Sequence, residues 1–222
     1  MSNFTIGIIG GTGKLGSALA NRWIKAGLTV GIGSRTKEKA EVTAKELGER
    51  YNCEVTSGDN VAIAAEFQLL VITVPFSAQE ATLKEIKTAA KNKIVVDTTV
   101  PLKPPKVMRV QLPEEGCAAI RTQNLLGEDV TVVSAFQNVA AHRLAKDDDI
   151  ECDIMVFGDD KSARHKVVEL ANQAGLRGIH AGPLVNSAAA EALTSILIFV
   201  NKNYSVDGAG IQFTGDFTFH SQ

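Results

Sequence analysis

Cysteine is scarce in this 222-residue chain, and the three present, Cys53, Cys117 and Cys152, stand far apart. No CxxC spacing occurs, so neither a zinc centre nor a disulfide framework is expected. The four histidines, His142, His165, His180 and His220, form no HxH or HxxxH pair, which leaves them structural or surface roles. Excess charge is missing too, with 23 Lys+Arg against 25 Asp+Glu. Nothing in that balance recommends nucleic acid or an anionic membrane as a partner. The start carries no basic n-region or cleavage site, so no signal peptide is expected. The most apolar late run, Leu193 to Val200, is short for a bilayer span and carries Thr194 and Ser195. A cytoplasmic protein without a membrane segment is the expectation.

Side chains that usually carry catalysis are also absent. There is no GxSxG and no close carboxylate pair. Four residues after the two tyrosines, Tyr51 and Tyr204, stand Val55 and Gly208, so the Tyr-x-x-x-Lys pair of short-chain dehydrogenases is missing. Carbonyl reduction through a tyrosine acid is therefore not expected. Hydride transfer between two stacked cofactor rings needs positioning and little acid–base help, and stays open to such a chain.

What is present begins at Thr5 to Gly16, TIGIIGGTGKLG. Ile6, Ile8 and Ile9 read as a buried strand, the glycines as a turn, and the residues from Lys14 as a helix with Leu15, Leu19, Trp23 and Ala26 on one stripe. Gly11-x-Gly13-x-x-Gly16 fits the dinucleotide fingerprint in its strand–turn–helix context. Gly11 would make the tight turn, Gly13 would let backbone approach a pyrophosphate, and Gly16 would let helix and strand pack closely. Free N–H groups at the helix start would hold the anion. A second strand, Leu28 to Gly33, runs into Ser34, Arg35 and, one helical turn later, Lys39. An acidic residue at this point selects NAD, whereas an arginine accommodates the extra phosphate of NADP. No carboxylate ends this strand, so NADP(H) is expected over NAD(H).

Strands and helices then alternate. Gln68 to Val74 is a near-continuous apolar run, as in a central parallel strand, and ends in Pro75-Phe76. Val74, Pro75 and Phe76 are candidates for packing on a nucleotide or a second ring, with a proline-started helix as the plainer reading. Further strands are expected at Glu54–Thr56, Lys93–Asp97, Val130–Ser134, Cys152–Phe157 and Gly178–Gly182. Helices are expected at Lys37–Tyr51, Asn60–Glu66, Ser77–Lys91, Glu114–Leu126, Lys161–Ala174 and Ala188–Val200. Gln137 and Asn138 follow a strand and could hydrogen-bond a ligand, or Asn138 could cap a helix. The pattern gives an α/β fold, a Rossmann-type doubly wound parallel sheet with a smaller C-terminal α/β part. The solvated Lys146–Ile150 turn is the expected boundary, with residues 1–150 as an NADP-binding domain and 151–222 as a smaller domain. The broad apolar face of the last helix suits a core or a second subunit.

GGTGKLG, GSRTKEK, the TVP at residues 73–75, SAFQNVAAH and AGPLVNS together resemble the F420:NADP oxidoreductases, the NADPH-dependent F420 reductases. The resemblance runs from about residue 5 to about residue 213. It implies reversible hydride transfer between NADP(H) and the deazaflavin coenzyme F420, in a homodimer. By position it also implies that Thr12, Gly13, Lys14 and Leu15 line the pyrophosphate and that Ser34, Arg35 and Lys39 take the 2′-phosphate. Val74, Val100 and Ala141 would touch the nucleotide, and Gln137 and Val139 would face deazaflavin and nicotinamide. Some family members carry His where Gln137 stands; an amide can donate to a ring carbonyl but supplies no titrating proton. Two other readings compete: an NADPH-dependent flavin or metal-chelate reductase, and a non-catalytic NADP(H)-sensing module.

Overall fold

Residues 5–146 and 148–218 are described in the computed structural model; Asp147 and His220 lie outside them. The strands are β1 (Thr5–Ile9), β2 (Thr29–Ser34), β3 (Thr56–Asp59), β4 (Leu69–Ile72), β5 (Ile94–Asp97), β6 (Thr131–Ser134), β7 (Asp153–Gly158) and β8 (Arg177–His180). They form one sheet in the order β3-β2-β1-β4-β5-β6-β7-β8. Pairing is parallel from β3 through β6, in registers such as Gly7 with Gly31 and Val71 with Val96.

The helices are α1 (Lys14–Lys25), α2 (Lys37–Tyr51), α3 (Asn60–Glu66), α4 (Phe76–Ile86), α5 (Ala118–Leu126), α6 (Ala141–Leu144), α7 (Lys161–Gln173) and α8 (Ser187–Tyr204). They cover both faces of the sheet, and alternate strand residues feed two cores. Ile6, Ile8 and Val71 pack with Leu19 and Trp23 on one side; Ile9, Leu70, Ile72 and Val95 pack with Leu83 and Ile86 on the other. Burial on both faces is why β4 reads as an unbroken apolar run. Trp23 shows how tightly the first core is specified. It is fully buried, meets the Phe136 ring edge-on at 6.0 Å, and donates its indole N–H to the Leu170 carbonyl at 3.0 Å.

One connection departs from the all-parallel expectation. β7 pairs antiparallel with β6, matching Ser134 to Phe157, and β8 then pairs parallel with β7. A parallel return needs a crossover of a dozen or more residues built on a proper helix. The link between β6 and β7 holds only the four-residue α6. The expected 150/151 boundary falls in the irregular segment just before β7, where the Cys152 N–H donates to the Ile150 carbonyl at 2.8 Å.

Several element bounds also differ. β3 lies at Thr56–Asp59 rather than Glu54–Thr56. α4 ends at Ile86, short of Lys91. α5 begins at Ala118 rather than Glu114, because the Cys117 thiol accepts the Ile120 N–H at 3.4 Å and fixes the helix start. α8 is longer than Ala188–Val200, running from Ser187 to Tyr204. With the preceding turn it gives Leu184–Tyr204, one helix long and apolar enough to cross a membrane by length and composition alone.

Candidate functional site

In the parallel part of the sheet every strand's carboxyl end lies on one edge, and chain order reverses beside β1, between β2 and β4. Ligands of doubly wound sheets bind at such a reversal. A cavity opens there, between Gly10, Thr12 and Gly13 on one side and Thr73, Val74, Pro75 and Ala78 on the other. Its far end is walled by Ser34, Arg35, Thr36, Lys39 and Asn60.

The glycine turn is built for close approach. Gly11 N–H donates to the Gly33 carbonyl at 2.8 Å and Gly13 N–H to the Gly10 carbonyl at 3.0 Å. The residue in the left-handed region is Gly10, at φ 77°, one position before the glycine expected to make the turn. A Cβ there would stand 2.6 Å from the Val74 side chain. At Gly16 a Cβ would stand 2.6 Å from Thr73 Oγ1 and 2.7 Å from the Gly11 Cα, so glycine lets α1 reach the sheet. No side chain caps α1, whose preceding residue is Gly13 and whose first turn has no acid. Its leading N–H groups are left for an anion.

At the end of β2, Ser34 is buried, and its Oγ accepts the Thr36 N–H at 3.3 Å and lies 3.4 Å from Thr12 Oγ1. Arg35 and Lys39 are exposed, and among the described residues neither has a carboxylate partner. The carboxylate beside Ser34 in the sheet, Asp59, is turned to the start of α3 and accepts the Ala62 N–H at 2.8 Å. A 2′-phosphate fits this end of the cavity: two uncommitted cations, a hydroxyl, and no competing acid.

The other expected residues are spread along the same edge. Gly11 is buried beneath the turn, while Lys14 and Leu15 begin α1 outside the cavity wall. Pro75 precedes α4, in keeping with its plainer role as a helix start. Val100 follows β5, Gln137 and Val139 follow β6, and Ala141 opens α6, all beyond the cavity itself. Asn60, Thr36, Thr73 and Ala78 were not anticipated. Thr36 and Thr73 follow strand ends at the sheet's carboxyl edge, where ligands of such sheets bind, whereas Asn60 belongs to no motif. Asn60 Oδ1 accepts the Gly10 N–H at 3.2 Å, so it braces the turn.

Beneath the β5 and β6 ends lies a buried polar cluster with no sequence signature. Asp97 accepts from Gln79 Nε2 at 2.9 Å, Thr122 Oγ1 at 2.5 Å and the Thr99 N–H at 2.7 Å. Burial nevertheless pushes its carboxyl pKa up. Glu191 of α8 accepts the Ala118 and Ala119 N–H groups, and burial raises its pKa to about 7. Burial also lifts the Cys117 thiol to about 11, which keeps it protonated and unreactive. Gln137 differs from the expected donor: its Nε2 gives one N–H to the Asp97 carbonyl at 3.0 Å and one to Ser134 Oγ at 2.7 Å. Asn138 caps no helix; its Nδ2 donates to the Ala190 carbonyl at 2.8 Å and to Thr194 Oγ1 at 3.1 Å. Among the described residues no His, Cys, Asp and Glu group could hold a metal.

A glycine turn, an uncapped helix and a strand-end cation pair at the reversal of a parallel sheet define a Rossmann-type dinucleotide-binding protein. The family model described as "NADP oxidoreductase coenzyme F420-dependent" matches residues 5–101. The chain is 40% identical over 220 residues to the F420-dependent NADP reductase of Methanocaldococcus jannaschii, covering 94% of this chain and 97% of that protein. It is 37% identical over 219 residues to the F420-dependent NADP reductase of Methanothermobacter thermautotrophicus, covering 94% of each. It also superposes, at a TM-score of 0.81 and 20% identity, on a protein of Arthrobacter sp. FB24 provisionally described as an F420-dependent NADP-reductase, covering 95% of this chain and 99% of that one. That last likeness is one of fold. The chain belongs to the F420-dependent NADP reductase family.

Proposed function

We propose that this protein transfers a hydride reversibly between NADP(H) and the deazaflavin coenzyme F420. The observation that carries the proposal is family membership over 94% of the chain, joined to a dinucleotide cavity at the sheet's reversal. Nicotinamide and deazaflavin, when bound, supply the hydride donor and acceptor. The protein's residues bind and orient them. The turn from Gly11 to Leu15 holds the pyrophosphate, and Ser34, Arg35 and Lys39 hold the 2′-phosphate. Val74, Pro75, Val100 and Ala141 give the nucleotide an apolar bed along the strand ends. Gln137 and Val139, nearly buried at the end of β6, face the rings. No side chain is asked to act as acid or base, which fits a site that works by proximity.

The protein acts as a cytoplasmic homodimer in this reading, residues 151–222 forming the smaller unit that carries the interface. Support comes from α8, where Ile196 and Phe199 are each about half exposed. The same helix buries Glu191 and Ser195, so we assign its apolar face to a second copy rather than to lipid.

The test mixes purified protein, NADPH and oxidised F420 and follows the deazaflavin's visible absorbance, with NADH and FMN as parallel controls. Rapid bleaching with NADPH, and little with NADH, is expected. Tight NADPH binding without bleaching of F420 would overturn the proposal. Reduction of FMN alone would indicate a flavin reductase, and reduction of neither a sensing module.

A further inference from the structure

A chain of hydrogen bonds runs from the proposed ring-binding edge into the core. Gln137 Nε2 donates to Ser134 Oγ at 2.7 Å, the Ser134 and Ser187 hydroxyls stand 2.5 Å apart, and Ser187 Oγ donates to Glu191 Oε1 at 2.9 Å. Glu191 also receives the Ala118 N–H at 2.6 Å and the Ala119 N–H at 3.1 Å. Ser134 and Ser187 are fully buried and Glu191 nearly so. The titratable groups facing it are Asp97 on β5 and the Cys117 thiol ahead of α5.

With Glu191 ionised, above its pKa of about 7, the chain runs in only one direction. A carboxylate accepts and cannot donate, so Ser187 points its proton at Glu191 and must accept from Ser134. Ser134 then points its proton at Ser187 and must accept from Gln137. The Asp97 carbonyl, also an acceptor only, takes the other N–H of the amide. Both Gln137 N–H bonds are thereby spent inward. Its Oε1 is left over, and among the described residues it has no protein donor. An apolar side chain at position 191 would leave the buried Ala118 and Ala119 N–H groups without an acceptor and the two hydroxyls free to reverse.

We propose that Glu191 is a positioning residue for hydride transfer: through Ser187 and Ser134 it locks the Gln137 amide so that Oε1, not an N–H, faces the rings. The inference rests on the reading that Gln137 faces them. It assigns the ligand's chemistry at this point: a group with an N–H to give, such as a carboxamide or a ring imide, and not a bare carbonyl.

The test uses wild type, Ser187→Ala, Glu191→Gln and the double variant at pH 8. Ser187→Ala cuts the chain but leaves Glu191 bonded to the start of α5. Glu191→Gln places an N–H against Ser187 and reverses the order. Single-turnover reduction of F420 by NADPH is expected to slow about tenfold in each single variant, since small misplacement is costly in proximity catalysis. The double variant is no slower than the slower single, because both break one chain. In solution NMR, the Gln137 side-chain amide protons exchange slowly in wild type and faster in Ser187→Ala, with or without ligand. Wild-type rate and exchange in Ser187→Ala, or additive losses in the double variant, would overturn the proposal. If Glu191→Gln does not fold, Ser134→Ala paired with Ser187→Ala gives the same cycle. A wild type that never reduces F420 overturns the functional reading itself, a result distinct from equal rates among active variants.

Discussion

Replacing Arg35 with alanine tests the cofactor choice with little collateral damage. The guanidinium is exposed and has no carboxylate partner among the described residues, so its removal orphans no buried group. Ser34 would be a poorer target, because its Oγ accepts the Thr36 N–H and lies near Thr12. What Arg35→Ala removes is a charge-assisted contact to phosphate, worth about 1.5–3 kcal/mol. At about 1.4 kcal/mol per tenfold, NADPH should bind roughly 10- to 150-fold more weakly. NADH, which lacks the phosphate, should bind about as it does to wild type. Exposure adds a signature, since surface charges are screened within about 3 Å at 1 M salt. The difference between variant and wild type should therefore shrink as salt rises. Titration calorimetry of both nucleotides at low and high salt reads all of this. Equal losses for NADPH and NADH, or a salt-independent difference, would refute the phosphate assignment.

Two other perturbations follow from the packing. Gly16→Ala must push α1 off Thr73 and the Gly11 backbone, and should cost about 1–3 kcal/mol in urea unfolding together with a clear loss of dinucleotide affinity. Unchanged stability and affinity would mean that the helix has room to move. For Glu191, burial raises the folded pKa to about 7 from an ordinary 4.5. The folded state thus holds that proton more tightly than the unfolded chain does. The resulting stability is fully present below about pH 4.5 and is lost as pH rises through about 7, a change of about 3 kcal/mol. Asp97 shifts in the same direction and is present in both proteins, so urea melts of wild type against Glu191→Gln isolate the Glu191 share. A difference that does not change across that window would refute the account of Glu191.

The fold and the cavity at the sheet's reversal were legible because each rests on a local signal. Strand, glycine turn and helix are contiguous in Thr5–Gly16, and Ser34-Arg35 follows a strand directly. The run Gln68–Val74 announced a strand buried on both faces, as β4 is. Contacts between distant segments left no such mark. Nothing near Asn60 says that its side chain braces Gly10, fifty residues away. Glu191 reads as a polar break in an apolar helix until α5 is seen to start against it. The direction of Gln137 depends on the Asp97 carbonyl, forty positions earlier. Helix starts set by unusual caps, such as Cys117 before α5, were misplaced for the same reason. The antiparallel β7 left no such mark either: the link from Ala135 to Cys152 is long enough for a parallel crossover, and only its want of a helix longer than α6 tells against one.

The most direct measurement of the central claim follows the transferred atom. NADPH carrying deuterium at the reactive nicotinamide carbon, prepared separately on each face, is mixed with the protein and oxidised F420 in ordinary water. Ring-to-ring transfer predicts that the label from one face arrives in reduced F420 without loss to solvent. Reduced F420 that carries no label from either face would mean that a protein group or solvent relays the hydrogen, and would contradict the account.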